Sequence, residues 1–303
     1  MTLFITGASR GIGRMLIDKL TTRHEVYVLT RHDRNVQTSP RTISNLESFV
    51  NYVHGNLTNP QSYSKELSRC NAIIHLAAAT HTNDVQQYYT VNVEGTKLLC
   101  EAAQKAGIQQ FIHISTRAIG ANGGAYSDSK DKAEYIIRQS NLNWTIIRPS
   151  EVYGVIEGEG IAKIIRTARE LPFMLIPGDG SYKIAPVHVA DVIGLILRVI
   201  DAPENIVKHK IYNAAGPEEM TYLEFVDRLM EAYNIKKMKL HIPFWVLKVA
   251  AEAFALSGWQ KPPFVKDQIP RLILEKNADI SLAVADFGYA PHALNAAMLL
   301  DLR

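Results

Sequence analysis

Thr6-Gly7-Ala8-Ser9-Arg10-Gly11-Ile12-Gly13 is a glycine-rich stretch that follows a strand-like run at residues 3–6 and precedes a helical pattern at residues 14–22. Glycine adopts positive φ readily and, because it lacks Cβ, lets the backbone approach a bound pyrophosphate closely. The N-terminus of the following helix offers free N–H groups and a partial positive charge to phosphate. Because a strand precedes these glycines and a helix follows them, the stretch predicts a dinucleotide-binding turn.

Short β-branched runs and longer helical patterns alternate through the first half of the chain. The predicted strands are residues 3–6, 25–30, 52–54, 72–76, 111–115 and 144–148. Helical spacing is present at residues 14–22, 86–106 and 130–139, and Gly107 is placed to end the second of these helices. The alternation predicts an α/β fold, a Rossmann-type doubly wound parallel sheet with helices on both faces.

The pattern changes after Arg148, where glycine and proline become frequent. Residues 186–191 have the pattern of a strand returning to the sheet, followed by a helix to about residue 200. We therefore expect the dinucleotide-binding domain to contain residues 1–150 and about 184–200. A smaller, interleaved substrate-binding lobe is expected from residues 151–183 and 201–303.

The end of the second predicted strand indicates which cofactor the turn prefers. An acidic residue about twenty residues beyond the glycines would bind the ribose hydroxyls of NAD. Arg31 stands there instead, and Arg10 lies within the glycine turn. Two guanidinium groups favour a 2′-phosphate over a bare hydroxyl, so NADP is the predicted cofactor. NAD is the alternative, with Arg31 solvated and Asp33 in the acidic role.

Tyr126 and Lys130 lie one turn apart on one face of a predicted helix. A phenol with its ordinary pKa of about 10 is a poor acid–base group at neutral pH. A neighbouring ammonium group stabilises the phenolate, so Tyr126 would exchange a proton with a substrate oxygen during hydride transfer. Ser115 and Thr116 end the fifth predicted strand, where a hydroxyl would hydrogen-bond the same oxygen.

Composition and charge exclude several other classes of function. The 303 residues are 47% apolar and 21% charged, as in an ordinary globular protein, and the net charge of +3 is too small to indicate nucleic-acid or membrane-surface binding. The most apolar late stretch, residues 245–259, is interrupted by Lys248 and Glu252 and is too short to span a bilayer. A small-molecule substrate is therefore expected.

Cysteine and histidine usage bear on location and metal binding. Cys70 and Cys100 give no disulfide framework, and no signal peptide is evident, so a cytoplasmic location is expected. The ten histidines lack metal-ligand spacing, and no metal site is predicted. His75, His113 and His188 lie on strand patterns and are predicted to be core or cleft residues.

Together these residues resemble the short-chain dehydrogenase/reductase superfamily, and most closely its extended branch, the NAD-dependent epimerase/dehydratase family. The resemblance covers almost the whole chain. It also rests on five further motifs: His75-Leu76-Ala77-Ala78-Ala79, Asn92-Val93-Glu94-Gly95-Thr96, Arg148-Pro149-Ser150-Glu151-Val152-Tyr153-Gly154, Pro186-Val187-His188-Val189-Ala190-Asp191-Val192 and Asp286-Phe287-Gly288-Tyr289-Ala290-Pro291. Their order along the chain is specific to this family.

The resemblance implies catalytic roles for five residues. Tyr126 would be the general acid/base, and Lys130 would bind the nicotinamide ribose and tune the tyrosine. Thr116 occupies the position of the catalytic hydroxyl, with Ser115 as the second choice. Asn92 would brace the site through backbone and water.

The resemblance also implies where the cofactor and a second subunit bind. The adenine contacts fall at Asn56, where an Asp is usual, and Leu57, and the alanine run lies beneath the cofactor. The full predicted set of cofactor-binding residues is Gly7, Ser9, Arg10, Gly11, Ile12, Gly13, Arg31, Asn56, Leu57, Ala77, Ala78, Ala79, Tyr126, Lys130, Pro149 and Ser150. A homodimer would pack through the helices at residues 86–106 and 130–139.

Two departures from the family concern the cofactor turn and the pocket rim. The glycine spacing is that of the single-domain branch, with Arg10 where the extended branch usually has glycine. That branch uses such a cation for NADP, which agrees with the charge argument. The loop between Thr116 and Tyr126 is short for a nucleotide-sugar enzyme, so a reduced pocket rim is expected.

A third departure concerns the substrate. Glu151 replaces an Asn that commonly contacts the substrate diphosphate, and the Arg-containing motif expected near residues 276–279 is missing. Ile184 falls where an Arg often supports the diphosphate, although Lys183 is adjacent. A carboxylate beside a diphosphate is unfavourable, and these positions offer no compensating cation. The predicted substrate contacts are His81, Glu151 and Lys183.

Three functions are compatible with the sequence. The leading hypothesis is an NAD(P)-dependent oxidoreductase or epimerase acting on a secondary alcohol or ketone of a nucleotide sugar or sugar-like compound. The missing diphosphate contacts favour the alternative, an NADP-dependent reductase of a small or apolar carbonyl compound. A non-catalytic NADP sensor or scaffold is the third hypothesis, and the Tyr126–Lys130 pair argues against it. Dehydration is disfavoured because Arg117 and Ala118 stand where acidic partners would be needed.

Overall fold

Parallel strands and flanking helices make up most of the structure, a computed structural model that describes residues 1–31, 50–154, 161–257, 264–274 and 278–295. The strands are β1 Thr2–Thr6, β2 Glu25–Thr30, β3 Val50–His54, β4 Ala72–His75, β5 Gln110–Ile114, β6 Trp144–Pro149, β7 Val152–Tyr153, β8 Met174–Pro177, β9 Lys183–Ile184, β10 Val187–His188, β11 Lys210–Ala214, β12 Met220–Thr221 and β13 Lys239–Ile242. The helices are α1 Gly11–Leu20, α2 Ser64–Leu67, α3 Val85–Tyr88, α4 Gly95–Ala106, α5 Gly124–Gln139, α6 Ile161–Glu170, α7 Val189–Asp201, α8 Glu204–Val207, α9 Tyr222–Ala232, α10 Phe244–Leu256, α11 Gln268–Ile273 and α12 Ser281–Phe287. A π-helical segment, Tyr89–Glu94, joins α3 to α4.

Seven strands form the central sheet in the order β11-β6-β5-β4-β1-β2-β3, and every neighbouring pair is parallel. The strand order reverses between β1 and β4. In doubly wound sheets this reversal opens a crevice at the carboxyl ends of the strands, where ligands bind. The arrangement confirms the predicted Rossmann-type fold and directs attention to the residues that follow β1, β4, β5 and β6.

Helices cover both faces of the central sheet because its strands carry apolar side chains in both directions. On one face, Leu16 of α1 and Ile196 of α7 belong to a buried core that includes Leu3. On the other face, Leu99 of α4 belongs to a second core with Phe4. Neighbouring residues of β1 thus face opposite sides of the sheet, as strand geometry requires.

The smaller lobe is built from short strand pairs and α9. β8 pairs in parallel with β13, and β9 pairs antiparallel with β12. α9 begins with a reciprocal cap, in which Thr221 and Glu224 each accept a hydrogen bond from the other's backbone N–H. Its buried residues Phe225 and Leu229 share a core with Ile176 of β8.

Two predictions about the second half of the chain are wrong. Residues 186–191 do not return to the central sheet, because β10 pairs with β7 in a separate two-stranded sheet. The strand that does return is β11, which pairs with β6 inside the region assigned to the substrate lobe. It is an edge strand of the sheet, and its sequence Lys-Ile-Tyr-Asn-Ala lacks a continuous apolar run. Tyr212 of β11 contacts Phe287 of α12, so α12 also packs on the larger domain.

Most of the late apolar stretch at residues 245–259 folds as α10, which spans Phe244–Leu256. In the part of the chain that the structure describes, none of the helices combines the length and apolarity needed to cross a bilayer.

Candidate active site

The glycine turn packs so tightly that side chains are excluded at two of its positions. Gly7 has φ of 80°, and a Cβ there would collide with the backbone of Ala77 beyond β4. A Cβ on Gly13 would lie 2.7 Å from the carbonyl oxygen of Gly7. Gly11 has φ of 56° and open space where its Cβ would be, so the backbone there is accessible to a ligand.

The first turn of α1 offers uncapped N–H groups to that open space. Arg10 is the N-cap residue, with φ of −148° and ψ of 171°, and its side chain makes no capping hydrogen bond. The first turn of α1 also contains no acidic residue. Free N–H groups and a positive helix end suit a pyrophosphate, so the residues present fit a dinucleotide.

Two arginines lie close in sequence to the predicted ribose site. Arg10 precedes α1, and Arg31 follows directly on β2. Both are exposed, and within the described ranges neither side chain has a hydrogen-bonding or ionic partner. The backbone oxygen of Arg31 lies 3.2 Å from Nε2 of His54. Asp33, the competing acidic residue, lies outside the described residues.

The predicted adenine contacts follow β3. Asn56 is exposed, and its Oδ1 accepts a hydrogen bond from the backbone N–H of Thr58 at 3.2 Å. Leu57 is buried and lies against Gly95, where an added Cβ would meet its side chain. The local turn therefore holds Asn56 at the carboxyl end of β3.

Asn92, in the π-helical segment, joins the alanine loop to α5. Its Oδ1 accepts from the backbone N–H of Ala79 at 2.7 Å, and its Nδ2 donates to the carbonyl oxygen of Ala79 at 3.1 Å. The same Nδ2 donates to Oγ of Ser129 at 2.9 Å, and Ser129 in turn donates to the carbonyl oxygen of Tyr126. Asn92 is buried, so this chain of hydrogen bonds fixes the loop beneath the first turn of α5.

Tyr126 lies half-buried on the first turn of α5. Its ring meets Tyr88 edge-on with centroids 6.0 Å apart, and the guanidinium of Arg271 lies 4.4 Å from its ring centroid. Arg271 belongs to α11, far away in the sequence, and was not a predicted site residue. Its permanent positive charge lies against the phenol ring and stabilises negative charge there.

Asp267, beside Arg271, caps α5 from outside that helix. Its Oδ1 accepts from the backbone N–H of Ala125 at 2.5 Å and of Tyr126 at 3.4 Å. Its Oδ2 lies 3.4 Å from Nη2 of Arg271, which also donates to the carbonyl oxygen of Thr80. A carboxylate at a helix N-terminus is stabilising, so this contact holds α11 over Tyr126.

Lys130 is only 2% exposed, although it is a lysine, and its ammonium group is held inside the protein. Nζ donates to Nε2 of His113 and to the carbonyl oxygen of Ile114, each at 3.1 Å. Burial lowers the pKa of Lys130 to about 8, and Glu134 opposes this shift. Lys130 is therefore protonated below pH of about 8, one helical turn from Tyr126.

The two buried strand histidines have different surroundings. Burial and Lys130 hold the pKa of His113 well below its usual range, so the ring is neutral and Nε2 accepts from Lys130. Burial lowers the pKa of His75 to about 3, and its ring nitrogens bond the hydroxyls of Thr6 and Thr96. His75 is a core residue, whereas His113 positions Lys130.

A buried ion pair anchors α5 on the sheet one turn beyond Lys130. Nε and Nη2 of Arg148 on β6 donate to the two carboxylate oxygens of Glu134 at 2.9 and 2.6 Å. Glu134 is fully buried, whereas the Arg148 side chain is 24% exposed. The bidentate contact fixes both the rotation and the height of α5 over β6.

Both predicted hydroxyls follow β5. Ser115 is buried, and its Oγ lacks a hydrogen-bond partner among the described residues. Thr116 is half-buried, and its Oγ1 accepts from the backbone N–H of Ala118 at 3.1 Å. A hydroxyl that accepts in this way still has its own proton to donate, so each residue retains a donor for a substrate oxygen.

Two of the three predicted substrate contacts, Glu151 and Lys183, lie where β6 meets the smaller lobe. Oε2 of Glu151 accepts from Oγ of Ser150 at 2.6 Å and from the backbone N–H of Ala185 at 3.2 Å. Lys183 is paired with Glu219 at 3.2 Å, and its side chain is 69% exposed. His81 is half-buried in the loop beyond the alanine run.

Arg117 also lies at this junction, and the sequence pattern did not identify it as a binding residue. Its backbone N–H donates to the carbonyl oxygen of Pro149 at 3.0 Å, which joins the ends of β5 and β6. Its guanidinium is buried without a hydrogen-bond partner among the described residues. Those residues contain no cluster of three or more His, Cys, Asp or Glu side chains suited to a metal ion.

Comparison with known proteins agrees with this architecture. The model of the NAD-dependent epimerase/dehydratase family matches residues 3–215. The 4-hydroxy-2-methyl-3-oxo-4-farnesyl-3,4-dihydroquinoline-1-oxide ketoreductase of Stigmatella aurantiaca is 26% identical over 274 residues, which cover 83% of this chain and 79% of the relative. The decarboxylating sterol-4-alpha-carboxylate 3-dehydrogenase of Homo sapiens is 22% identical over 222 residues, which cover 65% of this chain and 60% of the relative.

Solved structures share the fold. The UDP-glucuronic acid 4-epimerase of Bacillus cereus, in complex with UDP-glucuronic acid and NAD, superposes with a TM-score of 0.75 at 20% identity. The superposition covers 99% of this chain and 97% of that protein. The family match spans most of the chain, and the sheet order is that of a Rossmann fold. The chain belongs to the NAD-dependent epimerase/dehydratase family of enzymes.

Proposed function

We propose that the protein is an NADP-dependent oxidoreductase that interconverts a ketone and a secondary alcohol on a largely apolar substrate. The observation that carries the chemistry is the buried ammonium group of Lys130, held by His113 and Ile114 one helical turn from Tyr126. Burying a charge is costly, so its retention at the carboxyl end of β5 supports a functional role.

The proposed reaction needs a proton and a hydride at the two ends of one carbon–oxygen bond. A nicotinamide dinucleotide bound at the glycine turn would supply or accept the hydride. In the direction of reduction, the hydroxyl of Tyr126 donates its proton to the substrate oxygen, and Thr116 or Ser115 donates a hydrogen bond to that oxygen. Lys130 and Arg271 stabilise the phenolate left on Tyr126, and solvent returns the proton.

The contacts of Glu151 support the apolar substrate class. Its carboxylate is fixed by Ser150 and Ala185 at the position where the family resemblance places a diphosphate contact. Lys183, one of the cations near this position, is already paired with Glu219. A nucleotide sugar would therefore bring its diphosphate toward a fixed negative charge. The relatives named as acting on a farnesylated quinoline oxide and on a sterol carboxylate point the same way.

The substrate class is tested with two panels of compounds and the NADPH-loaded protein. Ketosteroids and long-chain methyl ketones are expected to raise the Tm and to oxidise NADPH, whereas UDP-glucose and UDP-glucuronic acid are expected to do neither. Uridine and cholesterol hemisuccinate provide controls for nucleoside and detergent-like effects. Stabilisation and turnover by the UDP-sugars alone would restore the nucleotide-sugar hypothesis and contradict this proposal.

Arg10 and Arg31 support the NADP preference, because both are exposed cations without partners in the described part of the chain. We expect NADPH to bind at least about tenfold more tightly than NADH, as charge-assisted hydrogen bonds to a 2′-phosphate would give. Replacing both arginines by alanine should weaken NADPH binding until its Kd is close to that of NADH, and the Kd of NADH should not change. The Kd values are measured by fluorescence titration.

The matched control for this cofactor prediction is Arg69→Ala. Arg69 is also exposed, but it lies before β4, at the amino end of the sheet. Its replacement should not change either Kd. Tighter binding of NADH by the wild-type protein, or an unchanged ratio in the double variant, would show that the arginines do not select the cofactor.

A further inference from the structure

Arg117 is a buried arginine whose guanidinium is left unpaired. It is 4% exposed, and its Nε, Nη1 and Nη2 atoms have no hydrogen-bond partner in the described part of the chain. Guanidinium groups remain protonated in proteins, so this is a buried charge with every donor unused. Such groups are rare because desolvation is costly, and each one calls for an explanation such as a bound ligand.

Arg117 directly follows the two predicted catalytic hydroxyls in the chain. It follows Thr116 directly, and its backbone is bonded to Pro149 at the end of β6. Both residues lie in the crevice at the carboxyl ends of parallel strands, where this fold binds ligands. Because Ser115, Thr116 and Arg117 are consecutive, a group bound by the Arg117 side chain would lie near the oxygen that Thr116 or Ser115 would contact.

The two acidic side chains that interact electrostatically with the guanidinium, Glu151 and Glu219, are held by other donors. Glu151 and Glu219 raise the pKa of Arg117, although burial outweighs them and lowers it overall. Among the described residues neither acid forms an ion pair with Arg117: Ser150 and Ala185 bond Glu151, and Lys183 pairs with Glu219. The donors of the Arg117 guanidinium are therefore available to a ligand. The negative charge of Glu151 disfavours a ligand that carries several negative charges.

We propose that Arg117 binds a carboxylate of the substrate, so that the substrate is a carboxylate-bearing ketone or secondary alcohol with the acid a few bonds from the reacting carbon. The planar guanidinium matches the two oxygens of one carboxylate in a bidentate contact. A single negative charge balances Arg117, whereas a diphosphate would add charge beside Glu151. The inference rests on the proposed alcohol–ketone chemistry and specifies its substrate class.

The test compares two ligands that differ in charge and by a single methyl group. Isothermal titration calorimetry is performed on the protein saturated with NADPH, which cannot accept a hydride from an alcohol, with 3-hydroxydecanoate and methyl 3-hydroxydecanoate as the probes. The wild-type protein is expected to bind the acid at least about tenfold more tightly than the ester. Arg117→Met should bind both probes with the affinity of the ester, and Arg117→Lys should keep part of the preference because it retains the charge but not the planar fork.

Folding of the variants does not limit this test. Replacing an unpaired buried charge by an apolar side chain of similar length is often neutral or stabilising, and unchanged NADPH affinity in Arg117→Met verifies the cofactor domain. UDP is included as a third probe. Loss of UDP binding in Arg117→Met without a change for the acid would assign the site to a diphosphate and overturn the proposal.

Two further results would also overturn it. One is the absence of any acid-over-ester preference in the wild-type protein, including the case in which neither probe binds. The other is a preference that persists in Arg117→Met. Because the preference is measured without turnover, it is separable from the proposed function, which fails only if no alcohol or ketone exchanges hydride with the cofactor.

Discussion

Replacing Tyr126 by phenylalanine is expected to lower kcat by about 10²- to 10⁴-fold, the usual contribution of a positioned general acid or base. The substitution removes only the phenolic oxygen. The ring contacts with Tyr88 and Arg271, and the hydrogen bonds that Asp267 accepts from the backbone N–H groups of α5, do not involve that oxygen. The fold should therefore be retained, and the loss should appear mainly in kcat rather than in Tm.

Tyr89→Phe is the matched control for this experiment. The hydroxyl of Tyr89 donates to Asp128 of α5 at 2.7 Å, on a neighbouring part of the same interface. The change is chemically identical, but the hydroxyl is not directed to the proposed reaction site. Steady-state kinetics with the ketone that the substrate panels identify should show near wild-type kcat for Tyr89→Phe. Retention of full activity by Tyr126→Phe would remove the tyrosine from the mechanism.

The largest expected loss of stability follows from Glu134→Leu. This change leaves the guanidinium of Arg148 without its bidentate partner in a mostly buried position. Breaking a buried ion pair from one side costs about 3 to 5 kcal/mol, and the partial exposure of Arg148 places this case near the lower value. The free energy of unfolding is measured in urea with NADPH absent.

Two comparison variants serve as controls for this stability prediction. Glu204→Ala removes an exposed pair with Lys208 and is expected to cost less than about 1 kcal/mol. Combining Glu134→Leu with Arg148→Met should recover part of the loss, because both charges are then absent. Equal losses for Glu134→Leu and Glu204→Ala would mean that the buried pair does not anchor α5.

The parts of the fold that the sequence predicted correctly are set by local chemistry. The glycines of the cofactor turn adopt the positive φ or close packing that only glycine permits. Gly107 ends α4 in the left-handed conformation with φ of 69°, as predicted. The alternation of strands and helices was predicted correctly because buried parallel strands need continuous apolar runs, which are visible in the sequence. β11 was not predicted, because an edge strand is buried on fewer sides and its five residues do not form a continuous apolar run.

The unpredicted site residues depend on contacts between distant segments. Asp267 and Arg271 reach Tyr126 across about 140 residues of sequence, and no local spacing could reveal that contact. His113 has the pattern of a core residue, and only the geometry shows its ring accepting from Lys130. In the sequence, Arg117 stands where dehydration would need an acidic residue, and no local pattern indicates that it is buried. The structure shows that its guanidinium is buried without a hydrogen-bond partner among the described residues, which points to a binding role.

The central claim is hydride transfer between a bound nicotinamide and a carbonyl carbon at the Tyr126 site. It is tested most directly by incubating the protein with NADPH that carries deuterium on one or the other face of the nicotinamide C4, together with the ketone panel. We predict that mass spectrometry will find one deuterium on the carbinol carbon of an alcohol product, from one face only, and that Tyr126→Phe will transfer it at least about 100-fold more slowly than the wild-type protein. Absence of deuterium from every product, or equal transfer by Tyr126→Phe, would contradict the account.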